Sequence, residues 1–375
     1  MVIGVPKETH RHEHRVGLNP FGVARLIRSG NSVYVERGAG KDAHFSDGDY
    51  TEAGAQIVYN PEEVYSRSDM ICRFGALTAE DVPFMKEGTV VLAFHHLAVM
   101  PKGVVEKLQE LETTLIGYEI IVDEEGDLAA LHPLSELAGQ MAVDTAAHLL
   151  RHENGGRGIL LGNAPGLPPA TVLVLGAGTV GAAAARHAIA RGAHVMVIDS
   201  DIRKLRALTR QIGPQLLTAV GGHARLERYS AIADVLIGAV LVPGGRSPLL
   251  VTEDMVRGMK PGSVIIDVSI DQGGCIETSR PTTIDDPNFI VHDVVHHCVP
   301  NMTAAIPRTA TRAMADSALP YIMRIAEQGA CGAIKEDAGL ALGTYLFKGR
   351  MVNQRAGETL GIPAVSLAEL LEKEC

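Results

Sequence analysis

The chain has no tryptophan and only seven phenylalanines and eight tyrosines in 375 residues. So few large rings leave Ala, Val, Ile and Leu to fill the interior, which suits layered α/β packing better than a β-sandwich. There is no block of basic residues, and the formal net charge is −10. Nucleic acid is therefore not expected as a partner, because neutralising phosphates requires clustered Lys and Arg. The five cysteines, Cys72, Cys275, Cys298, Cys331 and Cys375, are odd in number and contain no CxxC pair. Neither a disulfide framework nor a metal cluster is signalled, and a reducing cytoplasm fits best.

Membrane signals are missing too. The N-terminus "MVIGVPKETH" lacks a charged region followed by a long apolar core, so no signal peptide is expected. The longest apolar stretch, "ATVLVLGAGTVGAAAA" (170–185), is broken by glycines and followed at once by Arg186 and His187. It reads as a strand, a turn and a helix, not as a membrane span.

What is present is glycine, 40 residues of it, and a hydrophobic content of 46%, enough to fill two cores. The first third alternates short apolar runs, "VIGVP" (2–6), "SVYVE" (32–36), "MICRF" (70–74), "VVLAF" (90–94) and "TTLIGYEII" (113–121), with amphipathic segments such as "FGVARLIRSG" (21–30). That pattern predicts βαβ units and a mostly parallel sheet. A continuous helix is predicted from Pro133, with Ser135 near its start. A Gly/Pro-rich run at 155–170 then breaks regularity and suggests a domain change. A second series follows: "TVLVLG" (171–176), "HVMVID" (194–199), "DVLIGAV" (234–240) and "SVIIDVSI" (263–270). After about residue 305 the chain reads as helical, ending in a small polar tail.

Within the second series, Gly176, Gly178 and Gly181 form a GxGxxG pattern after an apolar run and at the head of a helix, and Asp199 ends the next run. That context is the dinucleotide-binding fingerprint. Gly176 permits the tight turn, Gly178 admits a pyrophosphate against the backbone, and Gly181 lets helix and strand pack closely, with the diphosphate at the helix N-terminus. Asp199 is suited to accept from a ribose and to repel a 2′-phosphate, favouring NAD. Arg203 and Lys204 keep NADP as an alternative, and a glycine-rich turn without ligand is the plain structural one.

Four further positions are read from pattern alone. Asp271, in "IIDVSIDQGG" (265–274), follows a predicted strand where open sheets bind ligands, or is a turn aspartate before two glycines. His95 and His96 end another predicted strand, and alternation sends them to opposite faces, so at most one serves a given site. Arg15, in a short polar loop after the first strand, is either a bidentate fork for a carboxylate or a solvated surface charge.

Taken together, "IGVPKE…E.RVGLNP" (3–20), "HLA" (96–98), "PLSELAGQMA" (133–142), "GILLG..PG" (158–166), "GAGTVG", "AVLVPG" (239–244), "SVIIDVSIDQGG" (263–274) and "VPNMTAAIPRTAT" (299–311) resemble the alanine dehydrogenase family. That family also includes the nucleotide-binding first domain of proton-pumping transhydrogenase. The resemblance runs in order over nearly the whole chain. It implies NAD as cofactor, a small-molecule substrate and oxidative deamination of L-alanine to pyruvate and ammonia. His96 is then the general acid/base, Asp271 the anion that steadies the cationic imine, and Arg15 the holder of the substrate carboxylate. An imidazole, which ordinarily titrates at about pH 6.5, suits proton exchange with water. Ser135, Thr179, Val180, Val240, Leu241, Asn301 and Met302 join the glycines and Asp199 as cofactor contacts. The fold implied is two Rossmann-type α/β domains with mostly parallel sheets: a discontinuous catalytic domain, 1–130 and 306–375, and an NAD-binding domain, 131–305. A homo-oligomer, commonly a hexamer, is expected, with no metal.

Two departures stand out. Where alanine dehydrogenases carry a K-x-K-E-P run whose second lysine binds substrate, this chain reads "CRFGAL", with Arg73 at the first lysine and Gly75 at the second. Residues two apart on a strand share a face about 6 to 7 Å apart, so Arg73 is the candidate replacement cation for the substrate. The alternatives are a related oxidoreductase acting on a larger amino acid or amine, or a transhydrogenase-like NAD-binding module. The second departure is "AFHH" where T-Y-L-H is usual: Phe94 lacks a hydroxyl and His95 adds an imidazole, which fits either an altered pocket wall or a neutral change of packing residues.

Overall fold

A computed structural model describes residues 1–242 and 246–375, so Pro243 and Gly244 of the "AVLVPG" motif lie outside the described residues. The chain divides into two units, Met1–Leu134 with Ala304–Cys375, and Ser135–Thr303. The first break falls inside the helix His132–Leu149. The Gly/Pro-rich run at 155–170 lies within the second unit and marks no boundary.

The first unit contains β1 (Val2–Val5), β2 (Ser32–Glu36), β3 (Gln56–Val58), β4 (Met70–Cys72), β5 (Val90–Ala93) and β6 (Thr114–Gly117). The second contains β7 (Thr171–Leu175), β8 (His194–Asp199), β9 (Leu217–Val220), β10 (Val235–Gly238), β11 (Val264–Asp267), β12 (Asn288–Val291) and β13 (Val294–His297). Then β14 (Thr344–Phe347) and β15 (Arg350–Met351) return to the first sheet. The sheet orders are β15-β14-β6-β5-β4-β1-β2-β3 and β12-β13-β11-β10-β7-β8-β9. Each is parallel except at one edge, where β14 and β15 or β12 run antiparallel. Both sheets follow the doubly wound α/β order with its reversal beside the first strand, β1 with β4 and β7 with β10.

The strands form because their residues suit burial on two faces. In β7, Val172 and Val174 pack into one core while Leu173 and Leu175 pack into another. In β10 and β11, Val235, Ile237, Val264 and Ile266 join the first core, and Leu236 and Ile265 the second. Continuous aliphatic runs are what a parallel sheet covered on both sides requires.

Several sequence expectations need correction. β4 stops at Cys72, so Arg73 and Gly75 are not on a strand. The "TTLIGYEII" run leaves the sheet at Gly117 and turns into the 3-10 helix Tyr118–Ile120, and "SVIIDVSI" becomes the 3-10 helix Val268–Gln272. The C-terminal segment is not a polar tail. It supplies β14, β15 and the helices Gln354–Leu360 and Leu367–Glu374. Finally, Cys331 and Cys375 form a disulfide, while Cys72, Cys275 and Cys298 are free and buried. Their separation of 44 residues carries no motif. Only the folding of the last helix against the helix Pro307–Glu336 pairs them, so counting cysteines could not reveal the bridge.

Candidate active site

Open parallel sheets bind ligands beyond the carboxyl ends of strands, next to the point where strand order reverses. In the first unit the residues leaving β1, β4 and β5 meet there. Arg15 is only 3% exposed, so it is not a surface charge. Its guanidinium carbon lies 3.8 Å from the centroid of the Phe74 ring. Glu13 orients it, with Oε1 accepting from Nε at 2.6 Å and Oε2 from Nη2 at 2.5 Å. Phe74 packs on Phe94, with centroids 5.3 Å apart, and Phe94 stacks with the ring of His96 at 6.3 Å. One aromatic wall thus joins a carboxylate-binding fork to an imidazole.

The two histidines differ sharply. His96 is half-buried and adopts the left-handed conformation, φ 45 and ψ 48, which ends strand alternation. His95 is 1% exposed, with Nε2 3.3 Å from the Val91 carbonyl oxygen and no partner at Nδ1. Burial pulls the His95 imidazole down to about 4, so it stays neutral at pH 7. A ring sealed in the core has no route to exchange protons with substrate.

Arg73, the candidate replacement cation, is engaged by side chains of the protein itself. It is 2% exposed, and its guanidinium is held by Glu8 at 2.9 Å, Asp81 at 2.7 Å and the Tyr65 hydroxyl at 2.9 Å. Burial alone would lower its pKa, but Glu8, Tyr65 and Asp81 outweigh that and raise it. The same carboxylate of Glu8 accepts from the backbone N–H of Phe74 at 2.6 Å and of Gly75 at 3.2 Å. A Cβ at position 75 would sit 3.2 Å from Glu8 Oε2. Arg73 is therefore the far side of a buried ion cluster that shapes the loop after β4.

In the second unit the glycine-rich turn follows β7. Gly176 has φ 103, and a Cβ on Gly181 would overlap the Gly176 carbonyl oxygen, so strand and helix touch through backbone alone. The helix Thr179–Ala190 begins with Thr179 and Val180, both half-buried. Its N-cap, Gly178, has no side chain to accept from the first-turn N–H groups, and a Cβ there would meet nothing within 4 Å. This is a cradle suited to a diphosphate. Asp199 ends β8, and its carboxylate accepts from the N–H groups of Ala177 and Asp201, both at 2.7 Å. It braces the turn after β7. Arg203 is held by Asp201 at 2.8 Å.

Asp271 lies on the 3-10 helix after β11, and its Oδ1 accepts from the N–H of Asn301 at 2.8 Å. Asn301 itself has φ 52. Val240, after β10, donates to Ser269 Oγ at 2.9 Å, and the neighbouring Leu241 is 47% exposed. Met302 is 6% exposed and packs in the core of this unit, whereas Ser135 is half-buried on the helix His132–Leu149. No cluster of metal-ligating side chains occurs among the described residues.

Pattern reading missed Glu8, Glu13, Phe74, Glu119 and Tyr345. Glu8 and Glu13 were visible as the two glutamates of the first motif; Glu13 pairs with Arg15 two residues on, whereas the partner of Glu8, Arg73, is 65 residues away and cannot be assigned without the fold.

Comparison with known proteins gives the family of the chain. Residues 4–138 match the family model "Alanine dehydrogenase/PNT, N-terminal domain", and residues 142–354 the corresponding C-terminal domain. The chain is 40% identical to the alanine dehydrogenases of Mycolicibacterium smegmatis and Mycobacterium tuberculosis, across 99% of this chain and 100% of each relative. A solved L-alanine dehydrogenase superposes with a TM-score of 0.91 at 39% identity, covering 96% of this chain and 99% of that one. A transhydrogenase from Sinorhizobium meliloti shares the fold, with a TM-score of 0.79 at 24% identity over 94% of this chain and 99% of that one. By these matches over its full length, the chain belongs to the alanine dehydrogenase/PNT family.

Proposed function

We propose that this protein catalyses the reversible, NAD-dependent oxidative deamination of L-alanine to pyruvate and ammonia. The observation that carries the reading is the Arg15–Phe74–Phe94–His96 series, a carboxylate fork and an accessible imidazole on one wall, in a chain so similar to alanine dehydrogenases. Arg15, oriented by Glu13, binds the substrate carboxylate. His96 takes a proton from the water that attacks the imine carbon and returns one as the carbinolamine releases ammonia. The carboxylate of Asp271 offsets the positive charge of the imine. NAD, when bound, accepts the hydride from the substrate Cα. The cradle of Gly176, Gly178, Thr179, Val180 and Gly181 holds its diphosphate and Asp199 its ribose, with Ser135, Val240, Leu241, Asn301 and Met302 as further contacts.

One observation favours a second reading, a larger amino acid or amine as substrate: Gly75 leaves the loop after β4 without a long side chain. We further infer a homo-oligomer, a hexamer by family resemblance, and a cytoplasmic location. Among the described residues no helix is long and apolar enough to cross a membrane.

Amino-acid-dependent NADH formation, followed across a panel of L-amino acids and amines, tests the reading. L-Alanine should give the highest kcat/KM. A larger substrate preferred over alanine moves the assignment to the second reading, and no turnover of any amino acid overturns both.

A further inference from the structure

His96 is held where it is by its neighbours. Its backbone N–H donates to Glu119 Oε1 at 2.6 Å, and the Tyr345 hydroxyl donates to that same oxygen at 2.9 Å. Glu119 is 7% exposed and Tyr345 is 4% exposed. Three unrelated parts of the chain converge here. β5 and β6 run parallel, with Ala93 opposite Gly117, so the residues after both strands emerge together. β14 pairs antiparallel with β6, and its ladder shifts register between Thr344 and Leu346, which sets Tyr345 apart from the regular pairing.

The sequence accommodates this convergence at a cost. A Cβ on Gly117 would overlap the ring of Tyr345, so only glycine at the end of β6 lets that ring lie across the strand and reach Glu119. Glu119 Oε2 has no partner, although it is buried. A buried carboxylate left half-satisfied is unfavourable and needs a reason. The left-handed backbone at His96 is equally unfavourable for a non-glycine residue. Each supplies the reason for the other. A side-chain oxygen that accepts from the His96 N–H fixes the backbone there in a conformation that the chain would not otherwise keep.

We propose that Glu119, braced by Tyr345, is the positioning residue for His96, locking its left-handed backbone so that the imidazole is presented to the substrate. The inference rests on the reading of His96 as the acid/base group. Glu119 touches no reacting atom. Its effect is on the fraction of time the ring spends in the productive orientation, which enters kcat and leaves cofactor binding alone.

The test is a double-mutant cycle with steady-state kinetics and NADH binding by fluorescence. Glu119→Ala should lower kcat by about 30-fold or more, while the dissociation constant for NADH stays within about twofold of wild type. Glu119→Gln keeps an oxygen acceptor and should recover activity to within about fivefold of wild type. In the His96→Ala background, Glu119→Ala should cost less than about twofold, because a residue that acts through His96 has nothing left to position. Additive losses, or a loss in NADH binding that matches the loss in kcat, would overturn the proposal. Tyr345→Phe removes one hydroxyl and serves if Glu119→Ala does not fold. It should lower kcat by at least about threefold, again only when His96 is present, and an unchanged kcat counts against the proposal. A His96→Ala enzyme with wild-type kcat would instead remove the acid/base reading itself. His96→Ala inactive with Glu119→Ala fully active removes only the positioning role.

Discussion

Glu8 and Arg73 form an ion pair at 2.9 Å with side chains only 3% and 2% exposed. Breaking such a pair from one side leaves a buried charge uncompensated, which costs about 3 to 5 kcal/mol. Arg73→Ala is therefore expected to lower stability by that amount, seen as a shift of the denaturant midpoint, with loss of activity following loss of fold. A stable Arg73→Ala protein with a selectively raised KM for the amino acid would return Arg73 to the substrate site.

Position 75 offers the complementary experiment. The Cβ of a residue introduced there would sit 3.2 Å from Glu8 Oε2. A regained charge-assisted hydrogen bond to substrate is worth roughly 1.5 to 3 kcal/mol. Gly75→Lys should accordingly raise kcat/KM for L-alanine by about 10-fold or more. No gain for alanine, measured alongside the same substrate panel, would mean that the loop geometry and not the missing cation sets specificity.

Asp199 accepts from Ala177 and Asp201, and the proposed function gives it the cofactor ribose as well. Asp199→Ala should weaken NAD binding and relax the preference for NAD over NADP in kcat/KM. Wild-type enzyme preferring NADP would refute the cofactor assignment.

His96→Ala and Asp271→Asn should each reduce kcat by at least about 100-fold, the usual worth of positioned acid/base and charge-stabilising groups. His95 affects stability instead. Its pKa is about 4 folded, lowered by burial from the ordinary imidazole value of about 6.5. The unfolded chain therefore binds the proton first as pH falls, so stability is intact above about pH 6.5 and is lost progressively down to about pH 4. The loss attributable to His95 is about 2 kcal/mol at pH 5. His95→Leu should flatten the fall in melting temperature between pH 7 and pH 5 and leave kcat within about fivefold. An unchanged pH dependence of melting would show that His95 is not buried neutral.

The disulfide Cys331–Cys375 closes a loop of 44 residues near the C-terminus. Cross-links of this size typically stabilise by about 2 to 4 kcal/mol. Reduction with dithiothreitol, or Cys375→Ser, should lower the melting temperature without changing kcat at 25 °C. Two titratable thiols at these positions in native protein purified without reductant would show that the pair stays reduced.

The sequence by itself determined the doubly wound α/β class and the glycine-rich turn before a helix. Each of these is local: aliphatic runs buried on both faces, and glycines at fixed spacing before a helix, leave little choice of structure. What only the tertiary structure decided is which side chains face one another. Arg73 and Gly75 looked like neighbours on a strand until β4 ended at Cys72 and Glu8, 65 residues away, captured the guanidinium. Glu119 meets His96 because β5 and β6 end side by side, and Tyr345 reaches Glu119 because a C-terminal strand, read from sequence as tail, joins the sheet 226 residues from Glu119. Charges and hydrogen bonds act over a few ångströms without regard to chain separation, so periodicity, which records only near neighbours, cannot report them.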